Sequence, residues 1–145
     1  MNPQSETIEF LLADTVEALN LPFVGNISAG FPSPAEEYLE QVLDFNKDFI
    51  KNPTSTFYGR VKGNSMIGAN IHNGDILVID KSIQPHNGCI AVCFLNNEFT
   101  VKTLKVENKE VWLMPHNKEF SPIKVTAENE FIVWGIVTYI IHKAR

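Results

Sequence analysis

Two residues of this chain can be joined into a reaction. Ser65 stands in Gly63-Asn64-Ser65-Met66, after an apolar run and ahead of a short irregular segment closing at Asn73-Gly74-Asp75. A serine there can project into a cleft while the turn exposes backbone N–H groups, although most loop serines are caps or solvated hydroxyls. Lys102 stands in Glu98-Phe99-Thr100-Val101-Lys102-Thr103-Leu104-Lys105. A strand's period of two puts Thr100, Lys102 and Leu104 on one face, and Phe99, Val101 and Thr103 on the other. Lysine on a solvated strand face is the ordinary reading. If that face is dry instead, the ammonium becomes costly and the neutral amine is favoured. A neutral Lys102 beside Ser65 can take the hydroxyl proton as the oxygen attacks a carbonyl, with the N–H groups of Ser65 and Asn64 facing the oxyanion.

Other chemistries fit less well. His72, His86, His116 and His142 all fall at turns or the chain end, none in a motif that sets it beside a serine or cysteine. Neither glycine-rich phosphate-binding pattern is present. Cys89 and Cys93, four apart on an expected strand, lie ~13 Å apart, about twice the separation a disulfide bridges. They are expected to be reduced core thiols, and no metal or cofactor is expected.

The elements that must hold such a pair follow from the pattern of apolar residues. After Pro53, six runs read as strands: 56–61, 75–80, 88–95, 99–106, 110–114 and 131–142. Asn73-Gly74, Asn87-Gly88 and Asn96-Asn97 supply turn chemistry, the last joining two strands as a hairpin. The fold class is therefore mainly β, an antiparallel domain. Ahead of it, Ile8, Leu11, Leu12, Val16 and Leu19 recur at helical spacing. From Phe23 to Pro34, glycines and prolines dictate an exposed, extended arm. Ser33, Pro34 and Glu36 have the pattern of a capped helix start, whose buried face would carry Leu39, Val42 and Leu43. Asp44 is placed to cap a second short helix presenting Phe45, Phe49 and Ile50.

With 145 residues, 44% of them apolar, one domain with a real core is expected. The net charge of −5 is uneven, because residues 1–51 hold nine acids and two lysines. An acidic chain without a basic stripe is a poor direct ligand for nucleic acid, so none is expected. The apolar run 131–141 is about half the ~20 residues of a membrane-spanning helix, and the first residues lack a positive region. A cytoplasmic, membrane-free protein is expected.

Three separated segments, in order, resemble the UmuD branch of the LexA-like SOS peptidases, relatives of bacterial signal peptidase: Ala29-Gly30-Phe31-Pro32-Ser33-Pro34, Gly63-Asn64-Ser65-Met66 with Asn73-Gly74-Asp75, and Glu98-Phe99-Thr100-Val101-Lys102. Leu113-Met114-Pro115-His116-Asn117, Phe120-Ser121-Pro122-Ile123 and Gly135-Ile136-Val137 are similar too. The resemblance runs from about residue 23 onward. It implies a LexA/signal-peptidase-like β domain, residues 34–145, behind a regulatory arm, residues 1–33. It further implies a peptidase that cuts its own arm between Ala29 and Gly30, with Ser65 as nucleophile and Lys102 as general base. Cleavage would follow contact with the RecA filament on single-stranded DNA. The processed homodimer would then serve a UmuC-type polymerase in SOS mutagenesis and translesion synthesis, with the replication sliding clamp as a further partner.

Two positions depart from the pattern. Many UmuD proteins resemble one another in a cysteine before the cleavage glycine, where this chain has Ala29, as LexA repressors do. Both are small. The position before the serine is often acidic, and here it is Asn64. There is no room for the repressors' helix-turn-helix domain, so repression is not expected, nor is the membrane-bound activity of signal peptidase. The competing reading is a non-catalytic β interaction module whose arm regulates polymerase or partner binding.

Overall fold

The computed structural model describes residues 7–13, 21–23 and 41–144. In chain order these form β1 (Thr7–Leu12), β2 (Leu21–Phe23), β3 (Gln41–Leu43), α1 (Phe45–Asp48), β4 (Thr56–Lys62), β5 (Ile76–Asp80), β6 (Ile90–Leu95), β7 (Glu98–Glu107), β8 (Glu110–Met114), β9 (Ile123–Val125) and β10 (Phe131–Ile141). One eight-stranded sheet runs in the order β1-β4-β5-β10-β6-β7-β8-β9, with every neighbouring pair antiparallel. β2 and β3 form a separate two-stranded ladder. The fold is mainly β, and all six strands expected after Pro53 are present as β4 to β8 and β10.

The turns explain the register. Asn96 and Asn97 take φ of 48° and 68°, as a two-residue β6–β7 hairpin requires, and Asn108 and Lys109 do the same between β7 and β8 with φ of 52° and 62°. β10 binds β6 through residues 131–136 and β5 through 136–141, with register shifts at 133/135 and 137/139 that let one strand serve both halves of the sheet. The sheet curls. Although β1 and β7 are far apart in strand order, the Phe10 ring lies 4.8 Å from Phe99 and 4.5 Å from Trp134. The core has two parts. One gathers Val61, Met66, Ile71, Leu77, Ile79, Val92 and Val101; the other gathers Cys89, Ala91, Cys93, Leu104, Leu113 and Ile136.

The N-terminal third corrects two expectations. Thr7–Leu12 is strand, not the start of a helix, and pairs with β4 from Thr7↔Lys62 to Leu12↔Phe57. Ile8 and Phe10 pack on the core while Glu9 and Leu11 are exposed, so the period is two. Val42 and Leu43, expected on a helix, lie in β3. The proposed start of that helix, Ser33 to Glu36, lies outside the described residues, as does most of the extended arm. The second short helix is present: Asp44 Oδ1 accepts from Asn46 N at 2.9 Å, and Asp44 N donates to Asp48 Oδ2 at 2.8 Å.

Candidate active site

Ser65 follows β4 and precedes a 3-10 turn at Ile67–Ala69. The chain leaves β4 through Gly63, whose φ of 123° suits glycine and whose N–H donates to Asn73 Oδ1 at 3.0 Å. Met66 and Ile71, both buried, pin the loop to the core, and Ile71 N donates to Met66 O at 3.2 Å. The segment after β8 then crosses the serine. His116 N donates to Ser65 O at 2.8 Å, Gly68 N donates to His116 O at 2.6 Å, and Asn117 Nδ2 donates to Asn64 O at 2.9 Å. Residue 68 has to be glycine for this approach, because a Cβ there would stand 2.6 Å from His116 O. The serine is thus held on both sides, and its side chain is fully buried.

Lys102 projects from β7 opposite Ala91, whose single methyl leaves space for a long side chain. It is 4% exposed. Its Nζ lies 2.9 Å from Ser65 Oγ, 2.6 Å from Thr100 Oγ1 and 3.1 Å from Val101 O. A neutral amine has two N–H donors and one lone pair. Nζ donates in all three contacts; in the neutral state it would keep two of them, and the Ser65 hydroxyl, a donor as well as an acceptor, can turn to donate to the lone pair. A neighbour reports how dry the site is. Burial pushes the Cys93 thiol up to about 12, the nearby Cys89 adds to the rise, and Lys102 opposes it. Cys93 sits opposite Thr100 on the same pair of strands. Both cysteines are buried free thiols, as expected.

The structure therefore brings Ser65, Asn64 and Lys102 together, whereas Ala29 and Gly30 lie outside the described residues. The sequence reading missed Thr100, His116, Asn117 and Gly68 as parts of the site. Thr100 was legible, since it precedes Lys102 by two on one strand face. The other three depend on a loop contact across about fifty residues, which no local pattern carries. Two of the histidines have other partners: His116 Nε2 meets Thr103 Oγ1 at 2.9 Å, and His142 Nδ1 meets the buried Asp75 carboxylate at 2.7 Å. Among the described residues, no group of three or more His, Cys, Asp or Glu side chains can hold a metal ion, and no helix is long and apolar enough to cross a membrane.

Residues 22–138 match the family described as Peptidase S24-like. The chain is 42% identical over 122 residues to protein MucA of Escherichia coli, which covers 83% of each chain. It is 39% identical over 123 residues to protein ImpA of Escherichia coli, covering 85% of this chain and 83% of ImpA. It is also 35% identical over 134 residues to the LexA repressor of Marinobacter nauticus, covering 92% of this chain and 66% of the repressor.

Proposed function

The chain belongs to the Peptidase S24-like family of SOS-related, self-cleaving serine peptidases, and from that premise we propose that Ser65 and Lys102 cut the chain's own arm, residues 1–33, between Ala29 and Gly30. The observation that carries this reading is the 2.9 Å contact between Lys102 Nζ and Ser65 Oγ at a site closed to bulk water. Desolvation disfavours the ammonium, and the lone pair of the amine receives the hydroxyl proton.

As Lys102 removes that proton, Ser65 Oγ forms a bond to the Ala29 carbonyl carbon. The negative charge moves to the carbonyl oxygen, where the N–H groups of Ser65 and Asn64 meet it. Collapse of this intermediate breaks the Ala29–Gly30 bond. Lys102 returns its proton to the leaving amine of Gly30, and residues 1–29 remain as an ester on Ser65. Water then attacks the ester with Lys102 again as base, freeing Ser65 and a carboxylate at Ala29. Ala29 suits a narrow pocket, and Gly30 lets the backbone approach closely. Tethering supplies the bond at high effective concentration.

RecA-filament contact in the cytoplasm favours the docked arm and adds no catalytic group. The processed homodimer acts as accessory subunit of a UmuC-type translesion polymerase, with the sliding clamp as a further partner. An apolar groove of about 590 Å³, lined by Leu11, Phe45, Phe49, Tyr139, Ile140 and Ile141 among others, supports a partner-binding role for this domain. The short Ser65–Lys102 contact weighs against a purely non-catalytic module. Alkaline incubation of the purified chain followed by mass spectrometry tests the reading. Fragments ending at Ala29 from the natural chain and none from Ser65→Ala are expected; equal fragments from both would contradict it.

A further inference from the structure

Oxyanion stabilisation depends on where an N–H points, and a loop peptide can rotate between its neighbours with little movement of the chain. The Asn64 carbonyl and the Ser65 N–H belong to one planar trans peptide and point in opposite directions. Whatever holds the carbonyl therefore aims the N–H. That carbonyl accepts from Asn117 Nδ2 at 2.9 Å and, at a longer 3.3 Å, from Ile67 N. Asn117 is itself oriented, because its Oδ1 accepts from Glu119 N at 2.9 Å. Only one orientation of the side-chain amide satisfies both contacts. The next peptide is held as well, since the Ser65 carbonyl accepts from His116 N. Two consecutive residues after β8 thus fix the two peptide planes that flank the serine, one by backbone and one by side chain.

We propose that Asn117 is a positioning residue of the oxyanion site: its side-chain amide grips the Asn64 carbonyl and so directs the Ser65 N–H toward the scissile carbonyl oxygen. This rests on the assignment of Ser65 as nucleophile. Asn117 touches no reacting atom and does not act on the base. Its loss should lower the rate of the chemical step without changing the pH at which Lys102 becomes competent.

The test compares full-length natural chain, Ser65→Ala, Asn117→Ala and Asn117→Asp in alkaline self-cleavage, followed as first-order rate against pH, with melting temperatures alongside. Asn117→Asp keeps an acceptor for Glu119 N, removes the donor to Asn64 and sets a carboxylate against that carbonyl. Removing an oxyanion donor outright costs ~10²–10³-fold, and one left in place but misdirected should cost roughly tenfold or more. Both Asn117 variants are expected to lower the plateau by at least that factor, at a temperature well below their melting. The alkaline midpoint of Asn117→Ala should stay where the natural chain has it. Should Asn117→Ala unfold under these conditions, the plateau of Asn117→Asp is read by the same criterion. An unchanged plateau, or a slower rate explained by a displaced midpoint in Asn117→Ala, overturns the proposal. If the natural chain is not cut, or Ser65→Ala is cut equally, the nucleophile assignment fails and this inference falls with it.

Discussion

Asp80 and Lys102 are two ionisable side chains that the fold has taken out of water to the same degree, at 5% and 4% exposed. Their surroundings differ in kind. Burial pushes the Asp80 carboxyl upward, yet donors from Ser82, Asn52 and Ser55 together hold it below its ordinary range. The carboxylate receives Ser82 Oγ at 2.6 Å, Ser82 N at 2.8 Å, Asn52 Nδ2 at 2.9 Å and Ser55 Oγ at 3.2 Å. It stays charged and ties the 3-10 turn at residues 53–55 to the end of β5. Around Lys102 Nζ stand two hydroxyls and a carbonyl, with a dehydrated thiol nearby. Burial alone does not make a catalytic base. The partners decide whether the buried group keeps its charge and holds structure, as Asp80 does, or can exchange a proton and do chemistry, as proposed for Lys102.

Substitutions can break this contrast at either site, and the largest effect belongs to the lysine. Lys102→Met, close in length and without charge, should reduce alkaline self-cleavage by at least ~10³-fold, within the range expected for loss of a general base. Its urea midpoint should hold or rise, since an apolar group replaces a buried polar one. A well-folded Lys102→Met that still cuts at the natural rate would remove the base from the account.

Asp80→Ala should do the reverse. Loss of a carboxylate with four donors should cost about 3 kcal/mol in urea unfolding, while the cleavage rate of the folded fraction is kept. Because the folded pKa of Asp80 is depressed, its contribution is fully present above the ordinary carboxyl pKa and is lost as pH falls through the folded value. The stability gap between natural chain and Asp80→Ala should therefore narrow in acid. A gap that widened there would contradict the sign.

Thr100→Val sharpens the comparison from the lysine side. It removes the 2.6 Å acceptor, so the amine is less well oriented and cleavage should slow about tenfold. An acceptor stabilises the ammonium more than the amine, so its loss should move the alkaline limb of the rate profile to lower pH. The smallest effect lies away from both sites. Lys109 sits at φ 62° in the β7–β8 turn, and Lys109→Gly should add about 0.5–1 kcal/mol in thermal unfolding without altering cleavage.

How much of this was legible varies along the chain. Strands β4 to β8 and β10 alternate or run apolar between clear turn residues, so local sequence specifies them. Thr7–Leu12 satisfies two periods at once: Ile8, Leu11 and Leu12 suit a helix, while Ile8 and Phe10 suit a strand. The pairing with β4 and the aromatic cluster around Trp134 decide between them, and both are tertiary. β9 is three residues long, and its strand character comes from pairing with β8 rather than from its own pattern. Within the site, residue type and neighbourhood made Ser65 and Lys102 candidates, with a capping serine and a solvated lysine as the ordinary readings; the resemblance paired them, and the fold sets them 2.9 Å apart. The clamp of His116 and Asn117 on residues 64, 65 and 68 could not be read from sequence, because it exists only once the β8–β9 connection folds across the loop.

The most direct test of the central claim is the protonation of one nitrogen. The side-chain signals of Lys102, assigned by NMR in the non-cleaving Ser65→Ala chain, can be followed across the neutral and alkaline range. The account predicts that Lys102 loses its proton well below the ~10.4 of a free lysine side chain, over the range in which cleavage of the natural chain accelerates. A Lys102 that stays cationic up to that value would contradict it.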